Sequence, residues 1–228
     1  MKPNSIFFKN LKKIPVDKFF DNVLYDNKFG YYSSRFPFGD RGDFITSPKI
    51  SYLFSEMIAI WIIASWELFG KPKKFNIVEL GPGDGTLTNV LIRSFKKFPE
   101  FNLIKKIYLY EKSSHLRKIQ KKNIANKDIR WISNFKTIKK GPIIFFGNEF
   151  FDAIPIKQFR KIKNSYFEKN YSLGKNYEIK EIFKKAFSDD VRKIKSYKSL
   201  KKLKFIEFPK SGFQELKKII KKISKLNG

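Results

Sequence analysis

No cysteine occurs anywhere in the 228 residues. That excludes a disulfide framework and a thiolate metal site, and it removes the usual sign of an oxidising compartment. Histidine is almost as scarce. His115 is the single one, so a Ser-His-Asp triad would have to be built around it. It follows Ser113 and Ser114 at an expected helix start, where it reads as a surface or capping residue, and no metal site is expected. Long apolar runs are missing too. The longest, residues 57–66, is too short to cross a bilayer and is flanked by Glu56 and Glu67. Lys9, Lys12, Lys13, Asp17 and Lys18 break up the N-terminal region, so the uninterrupted apolar stretch of a secretory signal is absent. A soluble, cytoplasmic protein without membrane insertion is the expectation.

Acidic residues are few: 21 Asp and Glu face 49 Lys and Arg, for a formal charge of +28. A basic surface attracts phosphate through counterion release. Here, however, lysine is spread along the whole chain among Ile, Phe and Asn, as in proteins encoded by AT-rich DNA. There is no arginine-rich stripe. Compositional bias is therefore favoured over a nucleic-acid partner, with an acidic partner left open. Apolar content of 42%, with 17% aromatic residues, is that of a globular chain. Its length suits one α/β domain with a sizeable core, or a core with a small appendage.

The chain is organised around residues 75–87, FNIVELGPGDGTL. Ile77 and Val78 open a buried strand that stops at Glu79, and Gly81, Gly83 and Gly85 follow at alternate positions. Leu87, Val90, Leu91 and Phe95 then share one face of a helix beginning at Thr86. A strand, a glycine turn and a helix make a nucleotide site, because glycine adopts positive φ and lets a ligand approach the backbone. The dinucleotide fingerprint is G-x-G-x-x-G. Here the third glycine comes one residue early, and Glu79 precedes the first by two. A carboxylate would repel a pyrophosphate, so a nicotinamide dehydrogenase is disfavoured. G-x-G-x-G after Glu resembles motif I of the Rossmann-like S-adenosylmethionine (SAM) methyltransferases, whose ligand carries no phosphate.

Around this centre the pattern predicts an α/β fold with a right-handed, doubly wound parallel sheet. Phe19, Phe20, Val23 and Leu24 mark an amphipathic N-terminal helix. Residues 30–51 form a loop rich in Gly, Pro and aromatics, of the kind that carries function. Ser47 and Pro48 read as N-cap and first position of a helix over 48–69, which is apolar nearly all round and so expected to be buried. Further strands are predicted over 106–110, 128–132 and 141–147, the last as a central strand covered on both faces, with a helix from Ser113 or Ser114. Residues 156–208 read as a β-rich insertion. Ser211 and Gln214 form a capping box for a final helix with Phe213, Leu216, Ile220 and Ile223 inward. The expected divisions are 1–74, an N-terminal helical and loop cap; 75–156, the cofactor-binding core; 157–208, the insertion; and 209–228, a helix returning to the core. A doubly wound sheet that ends on a helix lacks the strand to which that helix leads, so a truncated chain or fragment is expected.

Ligands of such sheets lie at the carboxyl ends of the strands. Glu79, Glu111, Ser133 and residues 148–152 all fall there. Glu111 ends the second strand, where an acidic residue can accept from both hydroxyls of a ribose. Asn148, Glu149 and Asp152 follow the fourth strand, where carboxylates and an amide could orient an acceptor nitrogen or simply cap the next helix.

Four stretches, GYY…FGDRGDFITSPKIS, VELGPGDGTL, YEKSSHLRKIQ and NEFFDAIPIKQF, together resemble the MidA family of SAM-dependent methyltransferases. That family includes the mitochondrial protein arginine methyltransferase required for assembly of respiratory complex I. The resemblance implies S-adenosyl-L-methionine as cofactor and an arginine side chain of a protein, such as a complex I type subunit, as acceptor. It implies that Glu79, Gly81, Gly83 and Gly85 line the methionine end and Glu111 the ribose; Ser133, at its strand end, is expected to be a further cofactor-binding residue. Thr46, Ser47 and Pro48 would close over it, and Asn148, Glu149 and Asp152 would serve catalysis. Location would be the mitochondrial matrix in a eukaryote. Lys49 departs from the family, which usually has Glu there. The alternatives are an RNA or DNA methyltransferase, favoured by the charge, and a non-catalytic SAM-fold assembly factor.

Overall fold

The computed structural model describes residues 3–34, 43, 51–124 and 128–228. Their strands are β1 (Lys13–Pro15), β2 (Phe75–Leu80), β3 (Lys105–Tyr110), β4 (Ile129–Ile132), β5 (Ile143–Phe146), β6 (Lys157–Ile162), β7 (Ser165–Leu173), β8 (Ile179–Lys185) and β9 (Phe205–Phe208). The chain divides into two compact units, Met1–Tyr31 with Phe151–Glu215, and Tyr32–Phe150 with Leu216–Gly228.

The second unit carries a parallel sheet in the order β4-β3-β2-β5. The strand before the glycine turn is thus interior, and the order is that of one half of a doubly wound nucleotide fold. Both faces are covered. On one, Phe75 and Ile77 of β2 and Ile107 and Leu109 of β3 meet Leu87, Leu91 and Phe95 of the helix Thr86–Phe95, with Ile62 and Trp66 of the helix Tyr52–Leu68. Phe101 packs edge-on against Phe95 at 5.0 Å between ring centres and against Phe75 at 6.0 Å; such pairs add about 0.5–1.5 kcal/mol beyond area burial. On the other face, Val78, Leu80, Tyr108 and Ile143 meet Ile219 and Leu226 of the helix Lys210–Leu226.

Several expectations need correction. The helix Tyr52–Leu68 starts at Ser51, whose hydroxyl accepts from the Leu53 N–H at 3.2 Å; Ser47 and Pro48 lie outside the described residues. It is not buried all round: Ser55, Ala59, Ile62, Ile63 and Trp66 face the core, while Leu53, Met57, Ile60 and Trp61 are exposed. A helix resting on one partner layer buries one stripe, however apolar the rest. The strand expected to be central, β5, pairs with β2 alone among the described strands, and its Phe145 and Phe146 are only half-buried. The final helix begins at Lys210, with the Phe213 N–H bonded to the Pro209 carbonyl at 2.9 Å, so Ser211 lies within it rather than capping it. Of its expected inward residues, Phe213 and Ile223 are partly buried against core clusters, whereas Leu216 and Ile220 are exposed; Ile219 and Leu226 are the buried ones. Among the described residues, no helix is long and apolar enough to cross a membrane.

The first unit is an antiparallel sheet in which β7 pairs with β1, β6 and β8, and β6 with β9. β1, expected in an N-terminal cap, therefore pairs with a strand of the expected insertion. That insertion also holds the helix Ser188–Ser196, which the reading of 156–208 as β-rich did not include. Phe159, Tyr166, Ile194, Ile206 and Phe208 form one core, and Phe8, Ile14 and Phe19 another. A buried polar cluster ties the unit together. Lys157 pairs with Glu168, with Asp190 at 3.5 Å and with Asp17 at 3.9 Å, and Lys210 pairs with Asp190 at 2.6 Å.

Candidate functional site

β2 delivers the chain into the glycine turn. Gly81, Gly83 and Gly85 all sit in the left-handed region, at φ 61°, 57° and 88°, which glycine alone enters without a steric penalty. Space is closed as well: a Cβ on Gly81 would lie 3.0 Å from Phe150 Cδ2, and one on Gly85 2.6 Å from Ile124 Cδ1. The Gly81 N–H donates to the Tyr110 carbonyl at 3.0 Å and prolongs the β2–β3 pairing, which anchors the turn to the tip of the neighbouring strand. Asp84, which the sequence reading did not single out, accepts from the Thr86 N–H at 3.1 Å and from the Thr86 hydroxyl at 2.7 Å. The helix end is thus already supplied with an anion. A phosphate placed there would meet Asp84, close enough to the buried Glu79 for its charge to be felt there.

Glu79 is buried on β2 and accepts from the hydroxyl of Thr88, itself fully buried, on the helix Thr86–Phe95. Burial pushes its carboxyl up to about 7, with Asp84 adding to the rise and Thr88 opposing it. One β-strand away, Glu111 follows β3 and is also buried. Its Oε1 accepts from the Ser113 N–H at 2.7 Å and its Oε2 from the Gln120 amide at 3.3 Å. Burial raises this carboxyl too, against the lowering effect of those donors. Ser113 caps the helix Ser114–Asn123, its Oγ accepting from the Leu116 N–H at 3.1 Å and donating to the Tyr32 carbonyl at 2.7 Å. Arg117 donates to the Glu111 backbone carbonyl at 2.7 Å and to the Ile132 carbonyl at 3.1 Å, lashing together the tips of β3 and β4.

The structure therefore brings Glu79, the three glycines and Glu111 to one end of one sheet, joined through Gln120, whose amide also donates to the Gly83 carbonyl at 2.8 Å. Asn148 and Glu149 follow β5 beside them: Phe150, in the same loop, lies against Gly81 and packs 6.2 Å from the Tyr110 ring. Glu149 is exposed and holds φ 55°, an uncommon conformation for a residue with a side chain. Asp152 is exposed and belongs to the other compact unit. Ser133 follows β4 and is exposed; the neighbouring Asn134 caps the short turn after it, accepting from the Lys136 N–H at 2.9 Å. Thr46, Ser47, Pro48 and Lys49 lie outside the described residues. Thr88, Arg117 and Gln120 were invisible as site residues, because an ordinary helical pattern carries them and only the fold turns them toward the strand tips.

An interior parallel strand, a left-handed glycine turn and a buried acid at the tip of the next strand define a Rossmann-like fold. The family model described as "Putative S-adenosyl-L-methionine-dependent methyltransferase" matches residues 57–227, and the chain belongs to that family. The chain is 33% identical over 191 residues to the mitochondrial protein arginine methyltransferase NDUFAF7 of Xenopus laevis, with 72% of this chain and 44% of that protein covered. Against its human counterpart it is 32% identical over 184 residues, covering 70% and 42%. The chain thus spans less than half the length of these relatives. Among solved structures it resembles a protein from Burkholderia thailandensis described as a "likely methyl transferase" and bound to S-adenosyl-homocysteine. The TM-score is 0.76 at 19% identity, with 95% of this chain and 59% of the other covered. That likeness shows the shared fold.

Proposed function

We propose that this chain binds S-adenosyl-L-methionine at the glycine turn and serves methyl transfer to an arginine side chain of a protein. The observation that carries the reading is the pairing of Asp84 with Thr86 above the buried Glu79. An end already bearing carboxylates disfavours a pyrophosphate and favours a ligand with an ammonium and a sulfonium. The relatives' names and the fold neighbour's bound S-adenosyl-homocysteine support the same ligand.

In this reading Gly81, Gly83 and Gly85 let the backbone approach the methionine end, with Glu79 beneath them. Glu111 accepts from the ribose hydroxyls and Ser133 borders the nucleoside. When bound, the cofactor supplies a methyl group already activated by its sulfonium. The chain's own work is then to place the acceptor in line and exclude water. An arginine arrives as a cation with a pKa above about 12, so carboxylates must orient the guanidinium and receive its proton. Glu149 takes that role, with Asn148 orienting.

The net charge of +28 favours a second reading, in which the acceptor is a nucleic acid. One experiment separates the two: incubate the protein with methyl-labelled cofactor, cell extract and RNA, and analyse peptides and nucleosides by mass spectrometry. Label on arginine supports the first reading, and label on a base with steep loss at higher salt supports the second. No uptake of label, with no binding of S-adenosyl-homocysteine in calorimetry, overturns both.

A further inference from the structure

Gln120 is fully buried on the helix Ser114–Asn123, and both ends of its amide are engaged. The indole N–H of Trp131 on β4 meets Gln120 Oε1 at 2.9 Å. An indole nitrogen can only donate. The amide oxygen must therefore face Trp131, and the NH2 group is obliged to face the other way. There it finds two acceptors, the Gly83 carbonyl at 2.8 Å and Glu111 Oε2 at 3.3 Å. Each amide hydrogen has one acceptor, and those acceptors belong to the two halves of the candidate site.

We infer that Gln120, oriented by Trp131, is a positioning residue that holds the Glu111 carboxylate at a fixed angle and distance from the glycine turn for recognition of a ribose diol. This rests on the reading of Glu111 as the ribose ligand. Within the protein, Oε1 takes the Ser113 N–H and Oε2 takes Gln120. The Lys112 N–H adds a further backbone donor; with about four lone-pair sites on an ionised carboxylate, the group keeps acceptor capacity for a ribose, and the Gln120 amide fixes the direction in which that capacity points. Without the amide, the carboxylate is free to turn about its last torsion, which has no sharp minimum. It also loses a donor that favours its charged form, and a protonated carboxyl accepts less well from two hydroxyls.

The test compares S-adenosyl-homocysteine with its 2′,3′-dideoxy analogue by calorimetry on the whole chain, for wild type, Gln120→Met and Trp131→Phe. Methionine keeps the volume and removes both donors. Phenylalanine leaves Gln120 in place but frees its amide to flip, at a half-buried position that tolerates the change. The wild type is expected to prefer the hydroxylated ligand by about a hundredfold, two charged hydrogen bonds at roughly tenfold each. Gln120→Met should cut that preference about tenfold, and Trp131→Phe by about threefold, while affinity for the dideoxy analogue stays within about threefold. If Gln120→Met weakens both ligands equally and leaves their ratio intact, Gln120 is only packing and the inference falls. A wild type that binds both ligands alike overturns the ribose role of Glu111 and the inference with it. A wild type that binds neither overturns the cofactor reading itself.

Discussion

The two units bury carboxylates in opposite ways. In the antiparallel unit, Asp17, Glu168 and Asp190 surround Lys157, and Lys210 adds a second cation to Asp190. Burial works against the Lys157 ammonium, yet the hydrogen bond it donates to Glu168 and the three negative charges outweigh it and hold its pKa above the usual range. In the parallel unit, Glu79 and Glu111 are as deeply buried but are met by neutral donors: a threonine hydroxyl, a backbone N–H and a glutamine amide. Acids balanced by lysines hold a fold together. Acids kept buried with neutral donors retain capacity for a ligand; burial raises Glu168 as well as Glu79 and Glu111, so the donor set and not the shift separates the two groups.

The largest expected effect breaks the first arrangement. Lys157→Met leaves three buried carboxylates short of their central cation, and should destabilise the antiparallel unit by about 3–5 kcal/mol in urea unfolding. A loss under about 1 kcal/mol would mean that the cluster is better hydrated than its burial suggests.

Glu79 gives the next effect, with a defined sign. Its folded-state pKa is raised from 4.5 to about 7, so between these values the folded chain keeps a proton that the unfolded chain has released. Its contribution is fully present below pH 4.5 and is lost as pH rises through about 7. The slope amounts to on the order of 3 kcal/mol. Glu79→Gln should flatten it, read as denaturant midpoint against pH from 4.5 to 8. An unchanged slope would assign the pH dependence to other groups.

The smallest effect sharpens the comparison at the turn. Gly85→Ala adds a Cβ at φ 88° and 2.6 Å from Ile124. It should cost roughly 1–3 kcal/mol of stability and weaken S-adenosyl-homocysteine binding, whereas Gly70→Ala, with φ 78° but open space, should cost about 1–2 kcal/mol and leave binding intact. Equal affinity in both variants would mean that the turn's geometry does not matter to the ligand.

Much of the parallel unit was legible in the residues. Ile77 and Val78 before spaced glycines announce a strand and a turn, and Glu111 at the end of the next apolar run announces a second tip. These are local patterns, set by propensity and spacing over a dozen residues. Burial of the helix Tyr52–Leu68 was not legible, because its apolar residues surround the axis and only packing selects Ser55, Ala59, Ile62 and Trp66. The same holds for the final helix, where Ile219 and Leu226 meet the sheet while Leu216 and Ile220 do not.

By itself, the order of residues determined the strand-turn-helix at its centre, the acids at the strand tips and the absence of thiol chemistry, since each depends on neighbours in the chain. Tertiary structure alone decided that Lys157 would meet Asp17, and that Trp131 would turn Gln120 toward Gly83 and Glu111. Partners 140 residues apart in the first case, or on separate elements in the second, meet only when sheets and helices pack. No local pattern encodes which buried donor will find which acid.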